Sequence, residues 1–407
     1  MKIVAHRSWL LGIAALVLAL CAGCPKPQPK PIEEQKKNYY EPLGPGEKAL
    51  HKIDPSEYPD FSAGYANKAG IEQAIQNSLS YLGKPSSKQF FPYLDITHAR
   101  AVASCRALLD VVQQAKSPAE LDALIRQKFD VYQSWGCDKQ GTVLFTGYYR
   151  PIFDARKQPD AQFRYPLYKA PDNLVKDLNG NTKGMKTASG DVIPCWTRGD
   201  IESGRAPLQG TELCWLKDRF EAYIVTVQGS GKLRMADGSY YEIGYAANNG
   251  YPYTSVANAL IQDGMLPREQ LSLRGLIDHF KAHPDQLDKY LPINRRYIFF
   301  QERSGGPYGC LNEVVTPYRS IATDKEIYPR ACPAYYMTQL PTRSAAGIAN
   351  ELYTGLAMDQ DAGGGIRMAG RCDIFMGTDD DTGSVGELAG RTFSEGRLYY
   401  IFVKEGA

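Results

Sequence analysis

Between Ala69 and about Phe129, apolar residues recur at three- and four-residue spacing: Ile71, Ala74, Ile75, Leu79 and Leu82, then Ala101, Leu108, Leu109 and Val112, then Leu121, Leu124 and Ile125. That period puts one apolar stripe on each of several helices. Ser117 followed by Pro118 marks the start of one. A serine oxygen can accept from the free amides of a first turn, and proline has no amide to leave unpaired there. From Val143 the texture changes to short runs of β-favouring residues broken by Gly, Pro, Asn and Asp. These predict strands at Val143–Phe145, Tyr223–Val227, Tyr240–Tyr245, Tyr297–Phe300, Ala334–Met337, Ile366–Met368, Asp373–Met376 and Leu398–Val403. A second helical stretch, about Ser255 to Leu291, interrupts them. No repeat period is visible, which argues against a solenoid or propeller. The pattern predicts a mainly β fold with α, with a helical N-terminal part.

Ahead of this body, Lys2 and Arg7 precede an apolar run from Trp9 to Leu20, and small residues Ala22 and Gly23 lead to Cys24. Charge, apolar run and small residues in that order form an export signal. The run is shorter than the roughly 20 apolar residues that a spanning helix needs. The Cys21-Ala22-Gly23-Cys24 ending resembles a bacterial lipobox, with Cys21 where leucine is usual, and makes Cys24 the candidate lipid-anchor residue. The alternative is an ordinary signal peptide with an incidental cysteine. Residues 1–24 are therefore expected to be a lipoprotein signal and 25–62 a tether, opening with the stiff, proline-rich segment Pro25 to Ile32. Pro25 stands where an aspartate often marks inner-membrane retention. The expected location is thus the outer membrane, lipid-anchored and facing the periplasm.

About 380 residues of the 407 remain, room for two domains. They carry 43% hydrophobic and 23% charged residues over the whole chain, with a formal net charge of +2. Without a basic surplus there is no footing for nucleic acid, which is bound through many Lys and Arg contacts to phosphate. The 27 tyrosines offer flat faces with hydroxyl handles that suit sugar rings. Seven cysteines follow Cys24. In an exported protein they predict disulfides, with Cys195–Cys214, Cys310–Cys332 and Cys105–Cys137 as possible pairings. Cys372 is left over and reads as a partly buried spectator, since no histidine is near in sequence to activate it.

The five histidines show no HExxH spacing, and there is neither a phosphate-binding GxxxxGK[ST] loop nor a GxSxG elbow. No metal and no cofactor is therefore expected, and the polar chemistry that remains is carboxylate chemistry. Its densest candidate runs from Asp359 through Asp361 and the glycines Gly363, Gly364 and Gly365 to Asp373. Glycines let backbone approach a ligand closely. In Asp373-Ile374-Phe375-Met376 the alternation suits a strand whose first residue faces a cleft. Two other readings stay open on composition: aspartates that cap turns, and the opening of a calcium loop, Asp359-x-Asp361-x-Gly363, although Gly370 stands where that loop needs Glu.

Several segments then match a family in order. Ser320 to Pro329, Asp361-Ala-Gly-Gly and Asp373-Ile-Phe-Met-Gly resemble the 3D domain, named for three aspartates, here Asp324, Asp361 and Asp373. Phe145-Thr-Gly-Tyr-Tyr-Arg-Pro151, Tyr165-Pro-Leu-Tyr168, Val227-Gln-Gly-Ser-Gly231 and Asn294 to Phe300 resemble the signatures of the membrane-bound lytic transglycosylase A family. The likeness runs from about Leu144 to Val403. Departures are Gly365 and Arg367, where the family usually has Ala and Lys, and Glu313 and Tyr318, where it usually has an apolar residue and Gly.

The resemblance implies a double-psi β-barrel built from residues 63–147 and 305–407, with an inserted second β domain at 148–304 and a sugar groove between them. It implies a peptidoglycan glycan strand as substrate, cut between N-acetylmuramic acid and N-acetylglucosamine without water to leave a 1,6-anhydro ring. Asp373 maps onto the single catalytic acid and base. Asp361, Asp324, Thr146, Gly147, Tyr148, Gln228, Gly229, Ser230, Gly231, Gly363 and Gly364 are the expected substrate contacts, and cell-wall synthases are possible partners. Two rivals remain: a hydrolytic muramidase using Asp361 or Asp359 as a second carboxylate, and a non-catalytic wall-binding lipoprotein.

Overall fold

The helical pattern resolves, in a computed structural model that describes residues 37–177, 180–267, 273–379 and 382–405, into α1 (Ile71–Leu82), α2 (His98–Gln114) and α3 (Pro118–Lys128). Thr97 and Ser117 cap α2 and α3, their side chains accepting from the amides of Arg100 and Glu120. Each cap satisfies a donor that the first turn leaves free. The apolar stripes bury Ile71, Ile75, Leu108, Leu121 and Ile125 in one core with Tyr335, Met358 and Ile401 of the sheet beneath.

That sheet has eight strands, numbered here in chain order: β1 (Leu50–Lys52), β2 (Phe129–Ser134), β3 (Val143–Arg150), β4 (Ser320–Ala322), β5 (Pro333–Ser344), β6 (Gly347–Asp361), β7 (Arg371–Thr378) and β8 (Phe393–Val403). Their order is β1-β2-β8-β5-β6-β4-β7-β3, and a further β8–β3 pairing closes the last six into a ring. Closure removes the open edges that invite aggregation. The fold is thus mixed α/β around a closed six-stranded barrel. Period-two alternation sorts the side chains. Ala334, Tyr336, Ala357 and Tyr400 fill the barrel, while their neighbours Tyr335, Met358 and Ile401 meet the helices outside.

Between β3 and β4 the chain builds a second sheet of six strands, in the order Ile298–Glu302, Tyr240–Asn248, Ser230–Arg234, Ile152–Arg156, Glu212–Leu216, Tyr165–Tyr168. It has its own core around Phe220, Leu233, Ile243 and Phe300. The change of sheet falls at Pro151, because β3 continues through Tyr148 to Arg150.

Several expectations are corrected. The tether expected over 25–62 ends sooner, since the folded body begins at Asn38. Ala49, Leu50 and Phe61 are buried, and β1 pairs with β2. The signal and Cys24 lie outside the described residues.

Tyr223–Val227 is no strand but part of the helix Arg219–Gln228. Asp218 accepts from the amides of Phe220 and Glu221 to start it, and Gly229 ends it at φ +76°. Burial on all sides explains the β-like composition, since tertiary packing overrides a weak propensity. Ile366–Met368 is loop rather than strand, with Met368 at φ +68°, a conformation that pleated pairing excludes.

None of the seven described cysteines is bonded to another. Cys105 instead packs against the Ala331 carbonyl, Cys310 against that of Gln360, and Cys372 is fully rather than partly buried in the barrel.

Candidate active site

Four strands bring one row of side chains together. Asp361 of β6 is in register with Ala322 of β4, Ala322 with Asp373 of β7, and Asp373 with Thr146 of β3. Residues paired across neighbouring strands share a face. Cys372 and Ile374 point into the barrel core, so alternation turns Asp373 out of it.

Asp361 reaches the same face through a bulge. Ile321 pairs with Asp359 and Ala322 with Asp361, so Gln360 is skipped. Without that extra residue Asp359 and Asp361 would point the same way. They do not. Asp359 is fully buried in the barrel, paired with Lys325 and accepting from Thr323 and Tyr400, whereas Asp361 lines the groove. The calcium-loop reading fails for the same reason, because Asp359 is spent on an internal ion pair.

The groove, of about 940 Å³, runs between barrel and insert. Asp361, Asp373, Tyr148 and Gly363 line it from the barrel, and Gln228, Ser230, Tyr253 and Ile298 from the insert. Gly364 allows the two halves to meet. A Cβ there would lie 2.5 Å from the Tyr253 ring, so only glycine fits without displacing that tyrosine.

The two groove carboxylates differ in surroundings. Asp373 accepts one side-chain hydrogen bond, from Thr146 Oγ1 at 3.0 Å. Burial pushes its pKa up to about 6, against the opposing pull of Arg371 and Thr146, and the negative charge of Asp361 adds to the rise. A carboxyl in this range holds its proton far longer than the usual value near 3.9 allows. Asp361 accepts from the Tyr148 hydroxyl at 2.7 Å and from the amides of Cys310 and Ala362, both at 2.8 Å. Burial raises its pKa too, and those three donors oppose the rise. Cys372 has its thiol pKa pushed well up by burial, which leaves it inert as a nucleophile.

The other expected contacts divide. Gly229 and Gly363 reach the groove. Tyr148 lines it, but its ring lies 5.2 Å from Phe375 and its hydroxyl is committed to Asp361. Gln228 lines the groove while its amide donates to the Tyr149 carbonyl at 3.3 Å.

Gly147 does not face the groove. A Cβ there would meet Thr392 and Ala389 at 3.0 and 3.1 Å, so it allows strand-to-helix contact. Gly231 lies within the strand Ser230–Arg234, packed on Val225 and Ile243. Asp324 is buried and accepts from the Met368 amide and Arg367, which ties down the 366–368 loop.

Two residues that no sequence motif singles out stand beside Asp373. Arg371, whose Nη2 donates to Thr146 Oγ1 at 3.1 Å, stands two places before Asp373 and so on its side of β7, a signal that strand periodicity carries. Ala322, the small residue between the two carboxylates, has no signature at all. Among the described residues no cluster of three or more His, Cys, Asp or Glu is placed to hold a metal ion.

Comparison with known proteins places these features in a family. The MltA specific insert domain matches residues 144–301 and the 3D domain residues 319–402. Membrane-bound lytic murein transglycosylase A of Vibrio cholerae is 28% identical over 375 residues, 90% of this chain and 88% of that protein. Its namesake in Escherichia coli K12 is 28% identical over 68% of this chain and 70% of its own length. A crystal structure of membrane-bound lytic murein transglycosylase from Agrobacterium tumefaciens superposes with TM-score 0.71 at 25% identity, covering 87% of this chain and 98% of that one. The E. coli protein with bound chitohexaose shares the fold, with TM-score 0.62 at 21% identity over 93% of this chain and 99% of that one.

Proposed function

We propose, on the premise that this chain belongs to the membrane-bound lytic murein transglycosylase A family, that it cleaves peptidoglycan strands without water, using Asp373 alone as acid and base. One observation carries the reading. Burial lifts the Asp373 pKa to about 6 and Thr146 is its one side-chain donor, while Asp361 is held in place by the Tyr148 hydroxyl and two backbone amides.

Protonated Asp373 would donate to the glycosidic oxygen as the bond to muramic C1 breaks, so that N-acetylglucosamine leaves with a hydroxyl. The carboxylate left behind would then take the proton of the muramic C6 hydroxyl as that oxygen bonds to C1. The ring closes as 1,6-anhydromuramic acid and Asp373 recovers its proton. A tethered hydroxyl can outcompete water because oriented intramolecular groups reach effective molarities of about 10⁵ M or more. Thr146 and Arg371 position the carboxyl and steady its charged form between the two steps. The test is mass spectrometry of digested cell wall: anhydro ends are expected, and reducing ends would show hydrolysis instead.

The mixed parallel and antiparallel pairings of the six-stranded ring support reading it as the double-psi barrel. The Cys21 to Cys24 sequence supports a lipid anchor, which the mass of the mature N-terminus checks directly, and Pro25 supports the outer membrane, facing the periplasm. An unmodified mature N-terminus lacking diacylglycerol on Cys24 would remove the anchor.

The hydrolytic alternative needs Asp361 as a second reacting group, as ordinary glycosidases use two carboxylates. Asp361→Asn separates the two. If Asp361 only supports Asp373, kcat/KM falls by no more than about 30-fold and anhydro ends persist. The alkaline limb of the rate profile moves to lower pH, because a negative neighbour that raises the Asp373 pKa has gone. A loss equal to that of Asp373→Asn would favour hydrolysis. Gln228→Ala is expected to raise KM about five-fold with kcat nearly unchanged, as for one polar contact to an acetamido group. An unchanged KM would leave Gln228 only its bond to Tyr149.

A further inference from the structure

Beside the groove lies a second cavity of about 300 Å³. It shares Cys310, Ala362, Gly363 and Gly364 with the groove, so the two are separated only by the segment that positions Asp361. Lys325, Arg330 and Arg367 line it, with Glu326. Their charges are not equally spent. Lys325 is paired with buried Asp359. Arg367 has Asp324 at 3.4 Å and Glu326 at 3.7 Å.

Arg330 stands apart. Among the described residues it makes no ion pair, and its Nε is buried without a hydrogen-bond partner. The guanidinium lies 4.1 Å from the centre of the Phe90 ring, a contact that uses its face and leaves its N–H donors unused. An orphaned buried donor on an uncompensated cation costs stability unless something binds it, and the matching group is a planar anion taken by two N–H bonds.

Resting on the function proposed above, we propose that this side pocket receives a carboxylate of the peptide carried on the muramic acid lactyl group, with Arg330 as its counter-charge. The sugar bearing that lactyl group is the one attacked at C1, so its peptide leaves the groove near Asp373 and Asp361. The pocket adjoins the Asp361 segment, and the shared Gly363 and Gly364 present no side chain between groove and pocket.

The experiment compares glycan strands that keep their peptides with strands stripped by an amidase, which retain only the lactyl carboxylate. For Arg330→Gln, KM is expected to rise about tenfold on peptide-bearing strands and to stay within about twofold on stripped ones. Glu326→Lys, a change at an exposed rim residue that cannot unfold the core, should lower KM for peptide-bearing strands about threefold. Equal effects on both substrates, or none on either with both variants, overturn the pocket assignment. If the wild-type protein cleaves neither substrate, the proposed function itself fails. The same comparison read as binding affinity then still decides the pocket, since peptide-dependent binding lost in Arg330→Gln supports it and its absence refutes it.

Discussion

Asp373→Asn is expected to lower kcat by at least about 10³-fold while leaving the protein folded and able to bind glycan, because one side chain supplies both proton transfers and each is worth about 10² to 10⁴. Asparagine keeps the size and can still accept from Thr146, but it can neither donate a labile proton nor reclaim one. The wild-type rate should depend on pH as a carboxylic acid that must be protonated. With a pKa of about 6, kcat/KM falls about tenfold per pH unit above that value. Residual turnover of the variant near the wild-type level, or a flat profile from pH 5 to 8, would remove Asp373 from the mechanism.

The same shift predicts an effect on stability. The folded-state pKa is raised above the unfolded value, so the folded protein binds more protons between about pH 4 and 6. This group's contribution to stability is therefore most favourable below the unfolded pKa, and it declines as pH rises until the folded pKa is passed. A shift of about two units corresponds to roughly 2–3 kcal/mol, less whatever solvent screening takes from a half-buried group. Asp373→Asn should accordingly melt about 3 °C above wild type at pH 8 and close to it at pH 4. A variant less stable than wild type at both pH values would argue that the carboxylate is structurally favourable, opposite in sign to what its burial requires. Functional sites commonly carry such a cost in stability.

Ala322→Leu is expected to lower kcat/KM by at least about 100-fold, with a fall in melting temperature of several degrees from overpacking. Neighbouring strands are about 4.8 Å apart, so Asp361 and Asp373, both in register with Ala322, have Cα atoms about 10 Å apart. One methyl group stands between them on the groove wall. Leucine adds three carbons in the space a sugar must enter to reach Asp373, and a displacement of about 1 Å at a reacting centre can cost 10²-fold. Ala322 lines the groove but is itself buried, so the added carbons press on packed neighbours as well as on the path of the sugar, and part of the effect should appear as lower stability. Ala322→Gly, which keeps the space, should stay within about threefold of wild type. If Ala322→Leu retained activity, the sugar would have to approach Asp373 from elsewhere, and the four-residue row would not be the site.

How far the chain could be read without its fold follows from these residues. The helix cap at Ser117 and the apolar stripes of α1 to α3 are local, set by the next three or four residues, and the spacing carries them. Asp373 was legible as a strand residue beside glycines, and order along the chain, Phe145 to Pro151 before Asp361 before Asp373, carried the family. Local composition misled where burial decided. Tyr223 to Val227 reads as a strand because helices buried all round use the same residues as strands. Nearness in sequence does not pair the cysteines, because disulfide geometry depends on where Cβ atoms point in space.

Sequence alone determined the three N-terminal helices, most of the barrel strands, and that the available chemistry is that of carboxylates. The tertiary structure decided which carboxylates share a cleft. A single bulge at Gln360 sends Asp359 into the barrel and Asp361 out of it. Closing the ring places Ala322 and Thr146 beside Asp373 from strands far apart in the chain. Burial then sets its proton affinity, and burial is a property of everything packed around a group, which no local run of residues contains.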